Sequence, residues 1–244
     1  MNDVPLSPRA EPSLAGEIAN NIARLHERIA TAAQRAGRDP ATIRLIAVSK
    51  SKPKEMVQAA IRAGQRDFGE STLQDARRKI PYFTDPTVSW HFIGHLQSNK
   101  AKHIPRLFDW IHSVDSLVLA ERLDRLAQAQ ATRLKVLLQV NITRDPAKYG
   151  LTPEAVFDTV QGILAAEPAG IRLRGLMAIG PPGAREPELR AAFAKLRALR
   201  DACVQRFALG EFTELSMGMS ADYLAAIREG ATMLRIGTAI FGER

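Results

Sequence analysis

The sequence predicts an α/β protein, a single (β/α)8 TIM barrel preceded by one extra helix. Three observations predict it. Eight strand-like apolar runs alternate with seven helix-like stretches. Such alternation implies parallel strands joined by right-handed crossovers. The length, 244 residues, suits an eight-fold barrel as one unit.

The elements follow in order. Residues 12–36, PSLAGEIANNIARLHERIATAAQRA, form a long amphipathic helix. The strands are IRLIAVSK (43–50), RDFGE (66–70), VSWHFIGH (88–95), WIHSVDS (110–116), LKVLLQVN (134–141), IRLRGLMAIG (171–180), EFTELSMG (211–218) and TMLRIGTAIFG (232–242). Between them helices are expected over 53–63, 71–80, 97–104, 116–131, 152–167, 185–208 and 220–229. Phe193, Leu196, Leu199, Cys203 and Phe207 show the helical spacing of the longest. An eight-fold barrel needs an eighth outer helix, and the 12–36 helix is expected to cover that gap. No linker or internal repeat interrupts 40–244. Residues 1–11 are expected to be a flexible lead and 12–244 a single domain.

Composition narrows the function. One cysteine, Cys203, excludes an internal disulfide, so a reduced, cytoplasmic setting is expected. No apolar run reaches the roughly eighteen residues of a membrane helix, and the N-terminus has no secretory pattern. The net charge of +8 suits an anionic ligand or nucleic acid. The densest basic patch, Lys100, Lys102, His103 and Arg106, lacks interleaved aromatics, so nucleic acid is not expected.

In such barrels chemistry sits at the C-terminal strand ends. The first run ends in Lys50. With Ile46 and Val48 facing the interior, Lys50 faces the mouth. It is either a solvated strand-end lysine or a desolvated amine able to form an imine. The seventh run ends with Ser216 and Gly218, and Ser220 suits the N-cap of the next helix. The eighth carries Gly237 and Thr238 in a tight turn. Small residues and hydroxyls at these two ends suit a phosphate. Arg235, on the face of Gly237, fits either an interior ion pair or a donor to a ligand ring nitrogen. Lysine, phosphate cradle and arginine together suit pyridoxal 5'-phosphate.

These motifs also carry a resemblance. LIAVSKSKP, FGES, WHFIGHLQSNK, IHSVDS, LLQVNI, RGLMAI, ELSMGMSADY and TMLRIGTAIFG, colinear from about 43 to 242, resemble the pyridoxal phosphate homeostasis protein family. The resemblance implies the barrel of the alanine racemase N-terminal domain, a Schiff-base Lys50, phosphate contacts from Ser216, Ser220, Gly237 and Thr238, and Arg235 near the pyridine nitrogen. It implies cofactor binding and delivery, with PLP-dependent apoenzymes as candidate partners and no established turnover. Ser71 and Thr72 depart from the family's usual Asn-Tyr.

The alternative is a PLP-dependent amino-acid racemase or related enzyme. Racemisation needs a second base opposite Lys50. Related racemases take it from a tyrosine of a second domain, which this chain is expected to lack. Of Tyr82, Tyr149 and Tyr223, only Tyr149 is expected near the mouth. A monomer is expected. His95 is read as a rim histidine, Trp90 and Trp110 as packing residues, Cys203 as inert core, and Lys52 and Lys148 as rim cations.

Overall fold

A computed structural model of the protein describes residues 13–243, and the expected lead over 1–11 lies outside them. Eight parallel strands close into a barrel in sequence order: β1 (Arg44–Val48), β2 (Asp67–Glu70), β3 (Ser89–Phe92), β4 (Trp110–Val114), β5 (Leu134–Gln139), β6 (Ile171–Met177), β7 (Glu214–Ser216) and β8 (Met233–Ile236). Closure is made by β8 against β1, in register Ile46 to Arg235 and Ala47 to Ile236.

The helices are α1 (Leu14–Arg35), α2 (Lys54–Arg62), α3 (Leu73–Lys79), α4 (Leu117–Gln128), α5 (Ala155–Ala165), α6 (Glu186–Phe207), α7 (Tyr223–Arg228) and α8 (Thr238–Phe241). Ser13 caps α1, its hydroxyl accepting the Gly16 amide at 3.3 Å. Ile18, Ile22, Leu25, Ile29 and Ala33 form the buried stripe of α1. That stripe packs on α2, α7 and α8. The expected cover over the gap is therefore present, and Asn21 ties it to α8 by donating to the Ile240 carbonyl at 3.0 Å.

Two expectations need correction. The eighth strand stops at Ile236, because Gly237 turns the chain into the single-turn α8. The predicted helix over 97–104 is a 3-10 segment, Ser98–His103, in which only Ala101 is buried, leaving no apolar stripe to seat a full α-helix.

The barrel has two apolar layers. The larger lies between sheet and helices and includes Phe68, Phe193, Leu196 and Cys203. The smaller fills part of the interior with Ile46, Trp110, Leu137, Met177 and Met233. The remaining interior is unusually polar. His91, His112, Ser216 and Arg235 are all buried there, with Asp67 partly exposed.

Candidate functional site

Because β7, β8 and β1 are neighbours in the closed order, their C-terminal ends share one arc of the rim. The approach there is close: a Cβ on Gly237 would lie 3.0 Å from the Val48 carbonyl oxygen. Lys50, Ser216, Ser220, Arg235, Gly237 and Thr238 all belong to these strands or to the turns that follow them.

Lys50 lies beyond the strand, in a turn closed by the Lys52 amide donating to the Ser49 carbonyl at 3.0 Å. It is exposed, which of the two alternatives matches the solvated strand-end lysine. The hydrogen bonds to β2 run on to the Ser49 amide, which donates to the Gly69 carbonyl at 3.0 Å, and Ser51 then turns the chain with a φ of 60°, the left-handed region that a serine adopts at a cost.

Both neighbours of Lys50 are tethered. The Ser49 hydroxyl donates to Glu70 Oε1 at 2.7 Å. Lys79 Nζ donates to the same oxygen at 2.7 Å and to the Ser49 carbonyl at 2.8 Å. The Ser51 amide donates to Asp75 Oδ2 at 2.7 Å. Glu70 and Lys79 are buried. Burial pushes the Glu70 carboxyl up, opposed by the bonds from Lys79 and Ser49. Burial also pushes Asp75 up, but the Ser51 amide and Lys79 outweigh it and hold that carboxyl below its usual range.

Lys52 is occupied elsewhere. Its Nζ donates to the carbonyls of Phe241, Gly242 and Glu243 at 3.2, 3.0 and 2.7 Å, satisfying the end of α8. Lys50 makes no ion pair among the described residues.

Arg235 lies below the rim, fully within the barrel. Its guanidinium donates to Ser216 Oγ at 2.6 Å and to the Ala178 carbonyl at 3.0 Å. Burial lowers it to about 10, with the nearby Asp222 carboxylate opposing the shift. It forms no interior ion pair among the described residues, and it keeps its charge at neutral pH.

Ser216 is buried, its hydroxyl held between Arg235 and His112 Nδ1 at 2.8 Å. The expected N-cap at Ser220 is corrected: α7 begins at Tyr223 after Asp222, whose Oδ1 accepts the Met219 amide at 2.5 Å. Ser220 is exposed in the preceding turn. Gly237 caps α8 and Thr238 begins it. The amides of Ser220, Ala221, Thr238 and Ala239 have no acceptor among the described residues. Gly218 needs its φ of 95°, and a Cβ there would meet the Ala226 Cβ at 2.7 Å.

Thr72 caps α3, its hydroxyl accepting the Asp75 amide at 3.3 Å. Ser71 presents its carbonyl to Gly94, where a Cβ would come within 1.9 Å. His95 stacks on Tyr149 with ring centroids 3.6 Å apart and lies 3.7 Å from Asp115. Trp90 and Trp110 are buried packing residues. Burial pushes the Cys203 thiol up to about 11, which makes it inert. Lys148 is half-buried, and its Nζ has no hydrogen-bond partner among the described residues.

A cavity of about 740 Å³ lies off this arc, beside α3 and the 3-10 segment, and is lined by Arg77, Arg78, Phe92, His95, Lys100 and His103 among others. The β7–β8–β1 arc differs from it in kind. That arc combines an accessible amine, a buried guanidinium and unpaired amides. Such a set can hold a ring bearing an anionic group at one end and a carbonyl within reach of an amine. Sequence reading missed His112, Lys79, Ser49 and Asp67. For His112 and Asp67 the available signal was a polar residue placed within an apolar strand; Lys79, in a helix, and Ser49, just past β1, carried no such signal.

Known proteins resemble this chain in sequence and fold. Residues 20–244 match the family model described as alanine racemase, N-terminal domain. The chain is 49% identical over 227 residues to the pyridoxal phosphate homeostasis protein of Pseudomonas aeruginosa, covering 93% of this chain and 96% of that one. It is 43% identical over 232 residues to the protein of the same name from Escherichia coli K12, covering 93% and 97%. PipY of Synechococcus elongatus, solved with PLP bound, superposes with a TM-score of 0.81 at 39% identity, covering 92% of this chain and all of that one. An alanine racemase from Clostridium difficile shares the fold, with a TM-score of 0.68 at 12% identity over 90% of this chain and 56% of that one. Among the described residues no helix is long and apolar enough to cross a membrane.

Proposed function

The chain belongs to the pyridoxal phosphate homeostasis protein family, and we propose that it binds pyridoxal 5'-phosphate at its barrel mouth, holds it as a Schiff base on Lys50, and serves PLP homeostasis in the cytoplasm without catalytic turnover. The observation that carries this reading is the common arc of β7, β8 and β1. It sets an untethered amine near a buried cation and four unpaired amides.

The cofactor, when bound, supplies an aldehyde and an electron-withdrawing ring. Lys50 would supply the amine that condenses with this aldehyde, its two nitrogen-bound protons leaving with the carbonyl oxygen as water. Ser49 and Ser51, tethered on either side, fix the turn from which that amine reaches out. The Ser220 hydroxyl and the amides around Gly237 and Thr238 bind the phosphate, as expected of donors with no other acceptor. Ser216 acts from beneath, since its hydroxyl is already engaged by Arg235.

Arg235, which keeps its charge, would donate to the ring nitrogen and so leave that nitrogen without a proton. An unprotonated ring is a poor electron sink, which favours holding the cofactor over racemising an amino acid. Delivery to PLP-dependent apoenzymes by a monomer is the role we assign, with neither nucleic acid nor membrane as partner.

Titration of the protein with pyridoxal 5'-phosphate is expected to raise a visible absorbance band that Lys50→Ala abolishes. Amino acids added to the loaded protein are expected to exchange with Lys50 and not to be turned over repeatedly. Sustained turnover of any amino acid, lost in Lys50→Ala, would establish the racemase alternative.

A further inference from the structure

We infer that His112, His91 and Asp67 are positioning residues for the ligand, acting through a hydrogen-bonded chain that runs across the barrel core and sets Arg235 from beneath. The chain is continuous. Arg235 donates to Ser216 Oγ at 2.6 Å. Ser216 meets His112 Nδ1 at 2.8 Å, His112 Nε2 meets His91 Nδ1 at 2.9 Å, and His91 Nε2 meets Asp67 Oδ1 at 3.0 Å. The hydroxyl and both imidazoles are buried.

Its ends dictate its polarity. A guanidinium only donates and a carboxylate only accepts. Ser216, accepting from Arg235, donates its own proton to His112 Nδ1. His112 then carries its proton on Nε2 and donates to His91 Nδ1. His91 carries its proton on Nε2 and donates to Asp67. Every bond is made with both imidazoles neutral, with the guanidinium below the rim at one end of the chain and a carboxylate near the opposite end of the strands at the other. Burial lowers both histidines, which favours the same neutral forms.

Packing holds the rings in place. His91 stacks on Trp110 at a centroid distance of 5.6 Å and meets His112 edge-on at 5.1 Å. The other charges facing the chain are Arg44, 3.5 Å from Asp67, Asp109 near His91, Lys135 over Trp110 and Asp222 near Arg235. Two consecutive histidines bridging a serine to a carboxylate are more than packing requires, because apolar side chains would fill that space without hydrogen bonds to satisfy.

The inference rests on the cofactor reading above only for its consequence at the ring, so the test has two arms. In the ligand-free protein labelled with 15N-histidine, two-bond proton–nitrogen spectra are expected to show His91 and His112 both neutral and both protonated on Nε2. A charged ring, or a proton on Nδ1 of either, overturns the chain.

In protein loaded with pyridoxal 5'-phosphate, His112→Leu is expected to shift the visible band and weaken binding by about two- to tenfold, the net worth of about one hydrogen bond. His112→Gln, which keeps a donor and an acceptor, is expected to lie closer to the parent protein. Asp67→Asn, far from the mouth, is expected to move the band in the same direction by less, which also covers failure of His112→Leu to fold. Unchanged spectra and affinity in His112→Leu and Asp67→Asn refute the positioning role. Absence of any Lys50-dependent band in the parent protein refutes the cofactor reading and leaves the histidine arm to decide the chain.

Discussion

Replacing Lys79 by alanine is expected to cost about 3–5 kcal/mol of folding stability, the usual result of removing one partner from a buried ion pair. Lys79 and Glu70 have side-chain exposures of 5% and 0% and meet at 2.7 Å. Without the ammonium, the Glu70 carboxylate keeps only the Ser49 hydroxyl on Oε1, while Oε2 already lacks a partner. The Ser49 carbonyl also loses its Lys79 donor, and Asp75 loses the cation beside it. Since Ser49 and Ser51 flank Lys50, the damage reaches the binding turn as well as the fold. Urea unfolding of Lys79→Ala checks the stability loss. A double variant, Lys79→Met with Glu70→Leu, removes both charges and is expected to recover much of it, since an apolar pair of similar size often replaces a buried ion pair without loss. A loss below about 1 kcal/mol in Lys79→Ala would place this contact among ordinary surface pairs.

Mild acid is expected to have the next largest effect. His112 is held well below its ordinary value by burial first, then by His91, Arg235 and Arg44. His91 is lowered by burial despite its bond to Asp67. As pH falls, the unfolded chain takes up protons at the ordinary imidazole value while the folded core refuses them. The stabilisation is therefore fully present above about pH 6.5 and is lost below it, at up to roughly 1.4 kcal/mol per pH unit for each histidine. Urea midpoints measured from about pH 8 to about pH 5 are expected to fall steeply through the lower half of that range. His112→Leu, with one buried imidazole fewer, is expected to give a shallower slope. A flat profile would mean that both rings accept protons in the folded state.

What sequence made legible was periodicity. The alternation of apolar runs with helical stripes implied closure, and the surplus helix before β1 implied a cover for the β8–β1 seam. Local chemistry also marked Ser216, Gly218 and Gly237, because a chain that turns tightly at a strand end needs small residues. What stayed hidden depends on distance in sequence. His112 and His91 are 21 positions apart, and only the register of β3 against β4 makes them partners. Lys79 reads as one of three consecutive basic residues ending α3, and nothing local says that it alone turns inward to Glu70. The end of β1 was misjudged because an apolar run does not reveal where its hydrogen bonds stop. That limit is set by Ser51, whose left-handed backbone carries no sequence signal as a glycine would.

The most direct test of covalent attachment exploits two lysines separated by one residue. Protein saturated with pyridoxal 5'-phosphate is reduced with borohydride, digested, and mapped by mass spectrometry. The predicted result is a reduced adduct on Lys50 and none on Lys52, whose amine is bound to three carbonyls near the chain's end. An adduct on Lys52, or label scattered over surface lysines with Lys50 unmodified, would contradict the assignment of the barrel mouth as the binding site.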